Sequence, residues 1–200
     1  MSEDVEGKPG VGRIEAFSDG VLAIIVTIMV LELHAPEAPG LDKLLTLWPV
    51  FLAYALSFAY VGIYWANHHR LFSHARAVTN SLVWLNLALL FALSLIPFTT
   101  AYLGEQHFSR DGAIVYLASM IFPAIFYVPL QNVIRKTGAK GDVAETYYRQ
   151  TSRKGVVALL VYIAGAALAF VSPWLSIASA AVVAALWCMP KSPVDALFGD

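Results

Sequence analysis

Cysteine and charged side chains are both scarce in this chain of 200 residues. Cys188 is the single cysteine, so no disulfide can form within the chain, and a zinc site built from several cysteines is excluded. Only 14% of the residues are charged, compared with about 25% in an ordinary soluble domain. The net charge of -1 gives no sign of a nucleic-acid partner, and we expect none.

Familiar catalytic and ligand-binding patterns are missing as well. The sequence has no Walker loop, no Gly-x-Gly-x-x-Gly turn and no Gly-x-Ser-x-Gly elbow. It lacks the Thr-Val-Gly-Tyr-Gly filter of many potassium channels and any His-Glu-x-x-His or Glu-x-x-His metal pattern. We therefore expect no enzyme activity, no cofactor and no metal site.

Apolar side chains are in excess: they form 58% of the residues and give a mean hydropathy of +0.66. A soluble domain of this size has too little interior to bury that surplus, so lipid is the expected solvent. Six segments approach the roughly 20 apolar residues of a transmembrane helix and predict an all-α membrane bundle. These spans lie at about 14–33, 47–66, 80–102, 112–133, 155–171 and 174–189. Prolines are expected to break the third and fourth spans, at Pro97, Pro123 and Pro129.

Lysine and arginine placement predicts the orientation of the bundle. If the N-terminus is cytoplasmic, every basic residue except Lys43 and Arg110 lies on the cytoplasmic side. This asymmetry predicts a plasma-membrane protein with both termini on the cytoplasmic side, and a basic cytoplasmic loop at about 134–154.

The chain has one expected domain. No cleavable signal peptide is recognisable, and polar residues 1–12 are expected to form a disordered tail. Residues 13–190 form the predicted six-helix domain, and 191–200 form a cytoplasmic C-terminal tail.

Polar side chains cluster at the cytoplasmic ends of the first three spans. Arg13 and Asp19 open the first span, and a charged group in hydrocarbon needs a partner. Counting from the span ends places Asn67, His68 and Asn86 at a similar depth. A structural hydrogen-bonded knot is the favoured interpretation, and a proton relay or metal site is the alternative. Neighbouring histidines in this region face different ways around a helix, which argues against metal binding.

The opposite face of the first span is apolar. At about 100° per residue, a single stripe collects Gly20, Ile24, Thr27, Ile28 and Leu31. Contact with lipid or with the protein core explains this stripe most simply, and a hydrophobic constriction in a pore is the alternative.

Three motifs together resemble the transmembrane protein 175 family, the endolysosomal potassium channels and their prokaryotic relatives. Arg13-x-x-x-Phe17-Ser18-Asp19 is similar to the family signature at the start of the first helix. Similar segments follow within 64–72 and 84–100, so the resemblance covers about 13–100.

The resemblance implies a six-helix subunit that forms a homotetramer around the first helix. It implies pore layers at Ile24, at Thr27 or Ile28, and at Leu31. It also implies that the signature residues are structural and join a network with other helices; these are Arg13, Phe17, Ser18, Asp19, Asn67, His68 and Asn86.

The predicted function is therefore a potassium-permeable, weakly selective cation channel in a bacterial plasma membrane, surrounded by lipid and without a cofactor. Glu32, with Glu37 as a weaker candidate, would make the outer mouth electronegative. The main alternative is a proton-coupled transporter that uses Asp19 and His68. A membrane enzyme or assembly factor built on the histidine run is the third.

Overall fold

A computed structural model describes residues 10–36, 39–139 and 141–189, and these residues form helices and short connections. The helices are α1 Val11–Leu31, α2 Leu41–Thr46, α3 Trp48–Ser73, α4 Asn80–Ser94, α5 Ile96–Glu105, α6 Arg110–Ile121, α7 Ala124–Thr137, α8 Asp142–Leu168 and α9 Pro173–Cys188. The predicted all-α fold is confirmed.

Five stretches are long and apolar enough to cross a bilayer: α1, α3, α4 with α5, α6 with α7, and α8. The apolar helix α9 is shorter, at 16 residues. All six stretches overlap the segments that hydropathy predicts.

Prolines explain two breaks within these stretches. Pro97 lies in the first turn of α5, and Pro123 separates α6 from α7, both positions where a missing N–H is tolerated. Pro129 does not break α7, so that expectation was wrong. It removes only the one backbone hydrogen bond to the Ile125 carbonyl, and the surrounding turns continue the helix.

The helices also extend further than hydropathy predicts. α1 begins at Val11, within the expected tail 1–12, whose first nine residues lie outside the described ranges. The expected loop at 134–154 is wrong, because α7 continues to Thr137 and α8 begins at Asp142. Hydropathy marks the hydrocarbon boundary, whereas helical hydrogen bonding continues into water. The C-terminal tail 191–200 lies outside the described ranges.

Basic residues gather at one end of the bundle, which we call the basic end. There α1, α4 and α8 begin and α3, α7 and α9 end, as contacts between these termini show. Every described lysine and arginine except Lys43 and Arg110 lies on these end segments or, for Arg76, in the loop between α3 and α4. At the opposite end, Trp174 stacks on Trp48 and Phe108, with ring centroids 5.2 and 5.1 Å apart.

Small and hydroxyl side chains pack the helices closely. Ser176 Oγ donates to the Gly165 carbonyl at 2.7 Å, and Ser179 lies beside the same glycine, so α8 and α9 approach closely. Ser57 of α3 hydrogen-bonds to Thr100 of α5 and Tyr116 of α6. α1 packs mainly on α3, α4 and α5.

Candidate functional site

A buried chain of hydrogen bonds joins three helices at the basic end. Asn86 Nδ2 of α4 donates to Ser18 Oγ of α1 at 2.9 Å, and Ser18 Oγ donates to the Ile14 carbonyl. Asn86 Oδ1 lies 2.8 Å from His68 Nε2 of α3. Since the amide nitrogen donates to Ser18, the amide oxygen accepts, and His68 carries its proton on Nε2. We call Ser18, His68 and Asn86 the polar network.

The polar network is sealed from its surroundings. Its three side chains are at most 1% exposed. The Phe72 ring stacks on the His68 ring at 4.2 Å between centroids. His68 Nδ1 is buried and has no hydrogen-bond partner among the described residues. The network therefore links α1 to α4 and α4 to α3 through buried hydrogen bonds.

Asp19 and Asn67 lie outside the polar network, although the sequence placed them at the same depth. Asp19 Oδ1 accepts a hydrogen bond from Trp65 Nε1 at 3.0 Å. Asn67 Nδ2 donates to the Ile63 carbonyl of its own helix at 2.9 Å. Asp19 directly follows Ser18, and Asn67 directly precedes His68. Because a step of one residue turns a helical side chain by about 100°, Asp19 and Asn67 point away from the polar network.

A second contact between α1 and α3 was not foreseen from the sequence. His69 Nδ1 lies 2.8 Å from Glu15 Oε1, beside the bond between Trp65 and Asp19. The sequence spacing was consistent with this contact. Glu15 and Asp19 are four residues apart, as are Trp65 and His69, and residues at this spacing share one face of a helix. The other signature residues, Arg13 and Phe17, are exposed.

α1 has two distinct faces. Leu22, Ile25 and Met29 are buried against the bundle. The stripe predicted from the sequence is exposed along its whole length, with 58% exposure at Ile24 and 73% at Leu31. We call Gly20, Ile24, Thr27, Ile28 and Leu31 the exposed stripe.

The exposed stripe is almost without polar chemistry. Its one hydroxyl, on Thr27, lies 3.0 Å from the carbonyls of both Ala23 and Ile24 and donates within its own helix.

A groove runs beside the exposed stripe. Ile24, Ile28 and Glu32 of the α1 segment line one side, and Pro97, Phe98 and Glu105 of α5 are among the residues that line the other. Glu32 and Glu105 thus place two carboxylates on one groove, towards the end opposite the basic end. Glu37 lies outside the described ranges. Within those ranges, no group of three or more His, Cys, Asp or Glu side chains could hold a metal ion.

Comparison with known proteins places this geometry in a family. Residues 13–97 match the sequence model of the family described as "Endosomal/lysosomal potassium channel TMEM175". A potassium channel of Chryseobacterium sp. (strain P1-3) is 43% identical over 185 residues, which cover 92% of this chain and 95% of the relative. A potassium channel of Streptomyces collinus is 35% identical over 92% of this chain and 94% of the relative.

Animal relatives match over a smaller part. The mouse protein named "Endosomal/lysosomal proton channel TMEM175" is 34% identical over 57% of this chain and 26% of its own length. Among solved structures, the crystal structure of a lysosomal potassium-selective channel TMEM175 homolog from Chamaesiphon minutus superimposes with a TM-score of 0.76 at 33% identity, covering 88% of this chain and 95% of that one. The bacterial relatives are 43% and 35% identical to this chain over nearly their full length. The chain therefore belongs to the TMEM175 family.

Proposed function

We propose that the protein is a potassium-permeable, weakly selective cation channel in which the exposed stripes of four α1 helices line the pore. The observation that supports this most directly is the exposed stripe itself, on a helix whose other face is held by the polar network. The bacterial relatives named as potassium channels and the crystal structure of a potassium-selective TMEM175 homolog support the channel function.

A single subunit of this size encloses no path for ions along its exposed helix. A ring of identical subunits with cyclic symmetry encloses a central path. We propose a homotetramer around α1. The groove between α1 and α5 would then face a neighbouring subunit, so that part of the apolar surface now exposed becomes buried.

The chemistry of an Ile24 ring suggests how the pore would work. Isoleucine offers no ligand to replace the water around an ion, so the ion passes partly dehydrated or not at all. A narrow apolar ring also gates by dewetting. Potassium holds its water less tightly than sodium, so the dehydration cost favours potassium weakly. Thr27 hydroxyls, Ile28 and Leu31 would form the following layers.

Charge placement supports an orientation. The basic end would lie in the cytoplasm, which puts both ends of the described chain on the cytoplasmic side of a bacterial plasma membrane. Glu32 and Glu105 would then lie near the outer mouth and concentrate cations there. Replacing Glu32 with glutamine is expected to lower conductance at low salt, and an unchanged conductance would argue against this role.

The structure favours the channel over a proton relay through Asp19 and His68. Asp19 bonds to Trp65 and His68 bonds to Asn86, so the two groups do not share a hydrogen bond. His68 is also nearly fully buried, which separates it from bulk water.

Cation flux into liposomes tests the proposal. Purified protein is reconstituted under a potassium gradient, and wild type is compared with Ile24→Asn. Ile163→Asn on α8 is the matched control, because Ile163 is 52% exposed and Ile24 is 58% exposed. We expect flux in wild type and in the control, and an altered rate or potassium-to-sodium ratio only in Ile24→Asn. A proton gradient with a pH dye, run in parallel, tests for proton permeation.

Two results would count against the proposal. Absence of flux from folded, oligomeric wild type would remove the channel function. Flux that responds equally to both substitutions, or to neither, would show that the exposed stripe contacts lipid rather than the pore. Native mass spectrometry in detergent would test the tetramer separately.

A further inference from the structure

The exposed face of α1 continues past the exposed stripe to the basic end. Arg13 and Phe17 are both exposed, with 54% exposure at Phe17, and Gly20 follows them in the stripe. At about 100° per residue, Arg13 and Phe17 each lie within about 20° of Ile24 around the helix. One face of α1, read inwards from the basic end, therefore carries Arg13, Phe17, Gly20 and Ile24.

The spacing on this face is that of a helix packing along an axis shared with other helices. The steps alternate between four and three residues, at Arg13, Phe17, Gly20, Ile24 and Thr27. Such a heptad repeat keeps one seam of a helix turned towards its partner helices over its whole length. The buried residues of α1 lie elsewhere around the helix. If Ile24 faces the axis of a tetramer, Arg13 therefore faces the same axis.

Arg13 is the charged residue of this face. It precedes Ile24 by eleven residues, which places it ~16 Å from Ile24 along the helix, at the basic end. Its guanidinium group stays protonated in proteins. Four copies of α1 around one axis would therefore bring four positive charges to the cytoplasmic mouth of the path.

The two carboxylates near Arg13 on α1 lie on another side of the helix. Glu15 and Asp19 are about 160° and about 120° away from Arg13 around the helix. Both contact α3, where Glu15 Oε1 lies 2.8 Å from His69 Nδ1 and Asp19 Oδ1 accepts from Trp65 Nε1. The charge that lies on the face of the exposed stripe is therefore that of Arg13.

We propose that Arg13 makes the channel pass cations more readily into the cell than out of it. A ring of positive charge at the cytoplasmic mouth lowers the cation concentration there, and a potential of about one kT does so about threefold. Outward current draws on that depleted mouth, whereas inward current draws on the outer mouth beside Glu32 and Glu105. This inference rests on the proposed channel function, to which it adds a preferred direction of flow.

Current in excised inside-out patches tests the inference, because the patch fixes which side is cytoplasmic. Cells express the full chain, the potassium chloride concentration is equal on both sides, and sorbitol keeps the osmolarity constant. Inward and outward currents are compared at equal and opposite voltages. The Debye length is about 30 Å in about 0.01 M salt and about 3 Å in about 1 M salt, so high salt screens the charge of Arg13.

Three variants separate charge from position. Arg13→Gln removes the charge, and Arg13→Lys keeps it with a different side chain. Arg76→Gln is the matched control, because Arg76 is also an exposed arginine of the basic end but lies in the loop between α3 and α4. In low salt we expect inward current to exceed outward current about twofold in wild type, Arg13→Lys and Arg76→Gln, and the two currents to be equal in Arg13→Gln. In high salt all four proteins should give equal currents.

Four results in low salt would overturn the inference while current still flows and responds to Ile24→Asn, which leaves the channel proposal intact. These are equal or larger outward current in wild type, an unchanged asymmetry in Arg13→Gln, an equal loss of asymmetry in Arg76→Gln, and loss of asymmetry in Arg13→Lys, which would give Arg13 a structural role. Absence of current from folded wild type would instead remove the channel proposal and this inference together.

Discussion

Asn86 carries the clearest stability prediction. Replacing Asn86 with leucine removes the hydrogen bonds to Ser18 and to His68. It also leaves the His68 Nε2–H without an acceptor in a buried site where Nδ1 already lacks a partner among the described residues. Hydrogen bonds between membrane helices contribute on average ~0.6 kcal/mol each. A stranded buried polar group costs ~1–3 kcal/mol. We therefore expect Asn86→Leu to lower the free energy of unfolding by about 2–4 kcal/mol.

Asn67→Leu is the matched control, because it makes the same chemical change one helix away. The Asn67 side chain donates only to the Ile63 carbonyl of its own helix, in a partly exposed position. Its loss is expected to cost at most about 0.5 kcal/mol. The assay is unfolding in mixed micelles with increasing SDS, followed by circular dichroism. Protein concentration is held constant, since assembly shifts apparent stability by mass action.

A double-mutant cycle makes the reasoning refutable at the level of one bond. Ser18→Ala and Asn86→Leu are measured singly and together. The cycle should yield a coupling energy of about 0.6 kcal/mol, the average for hydrogen bonds between membrane helices, and no more than about 1.7 kcal/mol. A coupling energy of zero, or an Asn67→Leu variant as unstable as Asn86→Leu, would show that the polar network does not hold these helices.

Three further changes test other parts of the molecule. Gly165→Val is expected to lower stability by about 1–3 kcal/mol, because the Ser179 hydroxyl lies where the new Cβ would be; SDS unfolding measures this. Trp65→Phe removes the donor to Asp19 in an exposed position, and the same assay should show a loss of about 0.5 kcal/mol. Thr27→Val is expected to leave stability unchanged, since the Thr27 hydroxyl bonds only within α1; under the channel proposal it should lower liposome flux by making the proposed pore layer wholly apolar.

The sequence was sufficient for the placement of the six apolar stretches and for the two faces of α1. Long apolar runs report the solvent around a segment, and the 100° period of a helix separates Ile24 from Ser18 without any knowledge of neighbouring helices. The start of α8 at Asp142 was missed because hydropathy reports lipid contact and not helical hydrogen bonding.

The membership of the polar network was harder to predict. Span ends give the depth of a side chain, which is why His68 and Asn86 were placed together. Depth says nothing about rotation of one helix against another, so Asp19 and Asn67 were placed in a cluster that they do not join. A cavity beside Gly155 of α8 depends on the direction in which α7 leaves Pro123, and no periodicity encodes that direction.

Rotation of α1 links the polar network to the proposed pore. Lipid and apolar side chains are equally good neighbours for the outside of a helix, so hydrophobic burial does not fix which face of α1 points outward. Bonds from Asn86 to Ser18 and from His68 to Asn86 do fix it. A rotation by one residue would turn Ile24 away by about 100°. Under the channel proposal, Ser18→Ala should therefore change the potassium-to-sodium flux ratio although Ser18 lies on the opposite face; an unchanged ratio in a folded variant would separate the network from the pore.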